Sequence, residues 1–518
     1  MSEQSRLAAS TAVFGAATAV SRVAGVIREI VAARFFGASP ALGAFLIAFN
    51  VPNLVRSLVA DSAISAAFVP VFAHLREEGK EPEAWRVASI VLWLTAVILG
   101  ALSALFILVA PLVMPLFVLG QSNIDPNLVV GLSRWMFPII AILGMTGVVT
   151  GILNSYEIFG LPAMAPIAWN AVIIAALVIE PHSAYAYAIS VLVATIVQFV
   201  IPLPLLRGRE QGLVFSLAWR NPYVKRVLRL MLPVTLGLGL INFNLTLDLS
   251  VATLVPGGHA DAYLNYAFRM FMLPQGLFSV AVSSVLFPRI SRLAARGDME
   301  GFALTFAAGT RTIVFLLLPA AAISIALAAP ITRVLFQHAK FTSSDTSHVA
   351  AVLIAFSLGL TANGMALLLT RAFFALQLPH IPTRVAFGNL FLNAILDLAL
   401  YKPLGAAGIA LSTAVVTTVN AAVLMVLLRR RVGRLHLTEL AGETARIVVA
   451  TVYCTAAAFG VWWPLDEILG RSLPAQVVSV GLGLSAGGAA YLAAGRILQL
   501  SDMDVLGSLA DRFRGRPA

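Results

Sequence analysis

The sequence predicts an all-α integral membrane protein of about fourteen transmembrane helices. Three observations carry that prediction. Hydrophobic residue types make up 59% of the 518 residues and charged types only 11%, where soluble domains hold about 45–50% and about 25%. Apolar stretches of about 20 residues, long enough to cross a bilayer, recur from end to end. The chain also resembles itself at an offset of about 218 residues, which spans an even number of such stretches. The mean hydropathy of +0.92 excludes a disordered or fibrous chain and most soluble enzymes. The lone cysteine, Cys454, excludes an internal disulfide and a cysteine-built metal site, and it reads as packing in an apolar helix.

Taken in order, the spans centre roughly at residues 20, 58, 103, 140, 171, 194, 239, 275, 315, 358, 390, 417, 453 and 485. The longest polar stretches, 74–86 and 207–229, suffice only for loops or surface helices, so no soluble domain is expected. The net charge of +11 is spread over the loops and forms no single basic surface, so a nucleic-acid partner is not expected. With the N-terminus inside, the basic residues gather on one side: Arg76, Lys80 and Arg86, then Arg207 to Arg229, Arg289 to Arg296, Arg429 to Arg434, and Arg512 to Arg516. The opposite loops hold Arg333, Lys340, Lys402 and Arg471. This asymmetry predicts cytoplasmic termini. Arg6 followed by apolar residues 7–20 imitates a signal peptide, but Arg22 and Arg28 continue the same helical run, and a retained first helix is expected.

The repeat defines two lobes. AFLIAFNVPNLVR…AAFVPVFAHLR (44–76) matches YLNYAFRMFMLPQGLF…SSVLFPRISRL (263–293), with Phe68-Val69-Pro70 against Leu286-Phe287-Pro288. Later, Leu161-Pro162 falls against Leu378-Pro379. An offset of about six helices makes the repeat parallel, related by an axis along the membrane normal. The expected organisation is an N-lobe over 1–215 (helices 1–6), a C-lobe over 216–435 (helices 7–12), and two extra helices with a cytoplasmic tail over 436–518. Two lobes around a central cavity suit a transporter; a duplication without transport is the plain alternative.

Four arginines stand inside spans: Arg22 and Arg28 in helix 1, Arg56 in helix 2, and Arg269 in helix 8. Each costs about 2.5–3.5 kcal/mol at a helix centre, so each must face water, a counter-charge or a ligand. Helices 2 and 8 are repeat mates, and their arginines can face each other across the cavity. Glu29 and Asp61 are the nearby acids, which leaves the cavity cationic. A guanidinium forks onto phosphate or carboxylate, so a phosphate-bearing anion fits best. The alternative is that some of these arginines only hold the lobes together. Arg22 and Arg28 lie about 120° apart on an ideal helix, and they share a face only if the helix bends, for which Gly25 offers a place.

A second polar cluster has the opposite sign. Helix 7 carries Asn244 and Asp248, spaced i, i+4 and so on one face. Helix 11 carries Asn389, Asn393 and Asp397, and helix 12 offers Thr413 and Thr417. Such oxygens suit a hard cation such as Na⁺; a polar network between helices is the alternative. No GxxxxGK[ST] or HExxH motif occurs. Gly483-Leu484-Ser485-Ala486-Gly487 matches GxSxG without its strand context and reads as small-residue packing. No catalytic role is expected of any residue.

The run SRVAGVIREIVAARFFGAS…AFLIAFNVPNLVRSLVADSAISAAFVPVFAHL (21–75) resembles the signature of the MurJ/MviN family of bacterial lipid II flippases, in the multidrug/oligosaccharidyl-lipid/polysaccharide exporter superfamily. The resemblance resumes at YAFRMFMLPQGLFSVAVSSVLFPRISR (266–292) and at FFALQLPHIPTRVAFGNLFLNAILDLALYKPLGAAGIALST (373–413). It implies that Arg22, Arg28, Arg56 and Arg269 are cavity arginines holding the pyrophosphate region of lipid II, with Asp61 an acidic position of the same motif. It implies a sodium site at Asp248, Asn393, Asp397, the carbonyl of Ile409, and Thr413, and a groove for the undecaprenyl tail at helices 13 and 14. The implied partners are lipid II and membrane lipids, in the cytoplasmic (inner) membrane. No cofactor is expected beyond Na⁺ or H⁺ as coupling ion and the membrane potential, and the chain is expected to act as a monomer. Two positions depart from the family pattern. Gly43 stands where some members have an Asp, and Met272 where some have a Glu. The competing expectations are a flippase for another undecaprenyl-linked saccharide and a cation-coupled drug exporter, whose cavity would be acidic or aromatic.

Overall fold

The computed structural model describes residues 3–59, 62–118, 123–156, 158, 160–206, 212–433 and 435–503, without the side chains of 3–19, 55–67, 230, 232–243, 281, 284, 437 and 438. The described residues form eighteen α-helices and no strand. The first nine are α1 (Glu3–Phe36), α2 (Pro40–Val59), α3 (Ser62–Glu77), α4 (Glu81–Val113), α5 (Pro126–Met136), α6 (Ile139–Ser155), α7 (Gly160–Ile179), α8 (Ala184–Val200) and α9 (Pro222–Ala252). The other nine are α10 (Ala260–Pro274), α11 (Val280–Ala295), α12 (Met299–Ala326), α13 (Ala328–Phe336), α14 (Ser343–Leu358), α15 (Leu360–Ala375), α16 (His380–Val432), α17 (Leu437–Leu469) and α18 (Leu473–Ile497).

The helices start where side chains replace missing backbone partners. Asp125 accepts from the Asn127 amide at the head of α5, Ser183 from Ala186 at α8, and Asp298 from Gly301 at α12. Thr342 and Asp345 form a reciprocal capping box on α14, satisfying two donors that a helix start otherwise leaves open. Breaks follow equally local causes. Pro274 precedes a π turn, Gln275–Ser279, that joins α10 to α11. α14 and α15 bend by 42° at Gly359. α16 is two helices joined at Gly405, whose φ of 58° and ψ of −138° only a residue without a Cβ adopts readily.

Each of the fourteen sequence-derived centres lies in one of these helices or in the π turn. Among the described residues, eight helices are long and apolar enough to cross a membrane, and the bent α14–α15 pair makes a ninth. One of the eight is α16, which folds as two spans. Spans 1, 2, 7 and 8 fall outside that set; they carry Arg22 and Arg28, Arg56, Asp248, and Arg269. The side chains on many spans point outward in the manner of a membrane protein: Leu108, Leu112, Ile179 and Ile468 are about three-quarters exposed. Water would penalise such apolar area at about 25 cal/mol per Å²; lipid does not.

The chain packs as two compact units, residues 1–262 with 338–341, and 263–337 with 342–518. In the first, α1 lies along α7, and α9 packs on α2 and α3. Its core gathers Phe68, Phe72, Trp85, Val148, Ile152 and Val224. In the second, α12 packs against α17, and α14 and α15 against α16. Cys454 is buried there with Phe315 and Tyr491, and the Tyr491 hydroxyl donates to the Phe315 carbonyl at 2.6 Å. Gly483 and Gly487 meet α17: a Cβ on either would lie 2.8–3.0 Å from Ala458, Trp462 or the Cys454 carbonyl. The GxSxG run is therefore a contact that lets α17 and α18 approach closely. Beyond α18, Asp502 is buried and accepts from Arg311 Nε at 2.8 Å and Thr312 Oγ1 at 2.6 Å.

Candidate substrate and ion sites

The arginines of span 1 sit in different surroundings. α1 runs unbroken through Gly25, so Arg22 and Arg28 keep their angular separation. Arg22 is exposed. Arg28 is only 8% exposed, and its Nη2 donates to Glu29 Oε1 at 2.5 Å. Its guanidinium lies 5.0 Å from the ring centroid of Trp169 on α7, within the range of a cation–π contact. The Trp169 indole in turn donates to Thr195 Oγ1 at 3.2 Å. Arg28 Nε and Asn170 Oδ1 are both buried without a hydrogen-bond partner. α1 and α7 thus hold a fixed cation with one donor unused.

Arg269 lies on α10, in the second unit, and is exposed. Six residues further along the chain, Gln275 Nε2 donates to Asn363 Oδ1 of α15 at 2.9 Å. The side chain of Arg56 and the whole of Asp61 lie outside the described residues.

The polar stripe of spans 11 and 12 assembles within the second unit. The turn at Gly405 folds α16 back on itself, and a Cβ at Gly408 would lie 2.2 Å from the Leu400 carbonyl oxygen, so glycine there permits the two arms to close. Asn393, Asp397 and Ile409 are each 0% exposed. Asn393 Nδ2 donates to Asp397 Oδ2 at 2.9 Å, and Ser412 Oγ donates to Asn393 Oδ1 at 3.2 Å. Thr413 Oγ1 donates to the Ile409 carbonyl at 3.3 Å. Asp248, on α9 of the first unit, is also buried. The groups within the second unit are carboxylate, amide, hydroxyl and carbonyl oxygens, the set a hard monovalent cation takes. Among the described residues no group of three or more His, Cys, Asp or Glu could hold a metal ion; the oxygens here come mostly from neutral groups.

Three features escape sequence reading. Ser412 lies beside the predicted Thr413 and bridges to Asn393. Trp169 gives nothing in its pattern to link it with Arg28. Asp261 opens span 8, eight residues before Arg269, and is 0% exposed against Gly43.

The family model described as lipid II flippase MurJ matches residues 32–477. The chain belongs to the MurJ family. A lipid II flippase MurJ of Burkholderia cenocepacia is 33% identical over 428 residues, covering 80% of this chain and 82% of that one. A probable lipid II flippase MurJ of Vibrio cholerae is 29% identical over 507 residues, covering 94% and 95%. In fold, the chain matches a solved lipid II flippase MurJ in an inward closed conformation, with a TM-score of 0.77, 24% identity, and coverage of 94% and 99%. It also matches an inward-facing multidrug resistance MATE family transporter of the MOP superfamily, with a TM-score of 0.69, 16% identity, and coverage of 80% and 96%. This MurJ-family chain is therefore a multi-pass membrane protein with the fold of that superfamily, and its family is one of transporters.

Proposed function

We propose that this chain flips lipid II from the inner to the outer leaflet of the cytoplasmic membrane by alternating access, with both termini cytoplasmic. The observation that carries the reading is membership of the MurJ family over residues 32–477 in a chain whose spans 1, 2 and 8 hold arginines. Arg22, Arg28, Arg56 and Arg269 bind the pyrophosphate and acidic part of the headgroup, Asp61 tunes that charge, and the lobes of the repeat rock about the bound headgroup. Arg28 is preset for the task by Glu29 and Trp169, with Nε still available. The partners are lipid II and the surrounding membrane lipids, and one chain suffices as the working unit.

The lipid's apolar tail needs a path that stays in hydrocarbon. A groove of about 440 Å³ is lined by Leu318 and Ala322 of α12 and Val448, Val452 and Phe459 of α17; it suits a prenyl chain and lies between spans 9 and 13, whereas the resemblance implied spans 13 and 14. For coupling, Asp248, Asn393, Asp397, the Ile409 carbonyl and Thr413 would hold Na⁺. The bound ion would supply a positive charge that the membrane potential drives, worth about 2.3 kcal/mol per 100 mV. The alternative networked role of these groups leaves transport independent of Na⁺.

The experiment is complementation in cells depleted of their own lipid II flippase. Wild type should rescue growth, and well-expressed Arg22→Ala, Arg28→Ala and Arg269→Ala should not. Failure of well-expressed wild type would move the substrate to another undecaprenyl-linked saccharide. Rescue by all three variants would remove the arginines from the mechanism.

A further inference from the structure

Asp261 occupies the first turn of α10 and is 0% exposed. Neither of its carboxylate oxygens has a side-chain hydrogen-bond partner; only the amides of its own helix start, at Asp261 and Ala262, lie against the group. It rests on α2 at Gly43, where a Cβ would lie 2.2 Å from Asp261 Oδ2, 2.9 Å from its Cγ, and 3.0 Å from Ile124 Cδ1. The missing side chain at Gly43 is what makes room for the carboxyl group. All three residues belong to the first compact unit, and the rest of α10, from Tyr263, belongs to the second.

Among the described residues the surroundings provide no counter-charge. Between Pro40 and Phe49, α2 has no titratable residue. The segment carrying Ile124 offers Asp125, whose carboxylate is turned to the Asn127 amide. Ahead of α10, His259 is hydrogen-bonded through Nδ1 to the Ala38 carbonyl oxygen. In residues 338–341, the Lys340 ammonium meets His182 Nδ1 at 3.3 Å. A helix N-terminus stabilises an anion by about 0.3–1 kcal/mol, up to about 2 in favourable sites. Taking a carboxylate out of water without a counter-charge costs several kcal/mol. The desolvation cost exceeds that gain.

We propose that Asp261 is a proton-binding site that latches α10 onto α2. The proton is held while the first turn of α10 packs on Gly43. It passes to bulk water when the carboxyl leaves that seat, and the exposed carboxylate is then solvated. Neutral Asp261 favours the packed contact and ionised Asp261 opposes it, so the contact is firm at low pH and loosens as pH rises. Arg269 stands eight residues further along the same helix, about 12 Å at 1.5 Å per residue. A shift of the first turn therefore moves the helix that carries this arginine. The link from latch to transport rests on the flippase reading; the proton site itself does not.

Two measurements on the full chain in lipid nanodiscs test the site without any transport assay. In infrared difference spectra, wild type should show a protonated-carboxyl C=O band that titrates with pH and is absent from Asp261→Asn. In hydrogen exchange corrected for intrinsic rates, protection of residues 40–48 in wild type should fall about tenfold per pH unit on the alkaline side, as expected for opening tied to loss of one proton. Asp261→Asn should be protected and insensitive to pH. Gly43→Ala, which evicts the carboxyl, should lose both the band and the protection even at acid pH. A band that persists unchanged in Asp261→Asn, or exchange profiles that coincide in wild type and Asp261→Asn, would overturn the proposal. Failure of wild type to complement a flippase-depleted strain would sink the flippase reading and leave these two results standing.

Discussion

Arg28 and Glu29 are neighbours in the chain and partners in space, joined by a 2.5 Å hydrogen bond with side chains only 10% and 6% exposed. Adjacent helical residues do not ordinarily face each other, and here burial forces the pair together. Glu29→Ala should destabilise the protein by about 3–5 kcal/mol, because it leaves a buried guanidinium without its charge. Glu29→Gln, which keeps an acceptor, should cost less. Thermal unfolding of the purified variants checks this; an unchanged melting temperature for Glu29→Ala would show that the pair does not support the fold.

The exposed arginines should behave differently. Arg22 and Arg269 are both exposed, and truncating them should change stability by no more than about 0.5 kcal/mol while abolishing transport. Arg28→Ala should lose transport and stability together. Melting curves set beside lipid II flipping in proteoliposomes separate the two classes. Full transport activity in Arg269→Ala would sink the assignment of that residue to the headgroup.

The oxygen cluster of α16 predicts a sodium effect. Replacing Na⁺ by choline at constant ionic strength should lower the melting temperature of wild type, since a ligand that binds only the folded state stabilises it. Asp397→Asn and Thr413→Ala should show no difference between the two salts. Identical melting of wild type in both would exclude a sodium site at these residues.

Gly408→Ala tests the α16 turn. Its Cβ would lie 2.2 Å from a backbone oxygen of Leu400, and backbone cannot step aside cheaply. The variant should part the two arms, break the Ser412–Asn393 bond, and cost about 1–3 kcal/mol, as overpacking does. It should also lose any salt-dependent stabilisation, read by the same melting assay. Wild-type behaviour in both would show that the arms accommodate the methyl group.

The spans were legible in the sequence because each is a long apolar run, and the bilayer permits little else for such a run. The four arginines and the Asn393–Asp397 stripe stood out for the same reason: polar groups are conspicuous against an apolar background. The partnering of those groups was less legible. The i, i+4 rule finds Asn393 with Asp397, but no helical rule pairs Arg28 with Glu29, and none links Arg28 to Trp169 on a distant span. Asp261 was missed because an acid in the first turn of a helix looks ordinary; only the packing of Gly43 against it reveals a carboxyl sealed from water. The breaks at Gly405 and after Pro274 depend on single residues within long apolar segments, where a composition window averages them away.

The bond from Asp502 to Arg311 and Thr312 has a practical consequence for handling the protein. It moors the segment that follows α18 to α12, so a fusion point chosen beyond Asp502 keeps the mooring residue. A truncation that removes Asp502 strips α12 of its anion and leaves α18 held on α12 by the Tyr491–Phe315 hydrogen bond and by apolar packing.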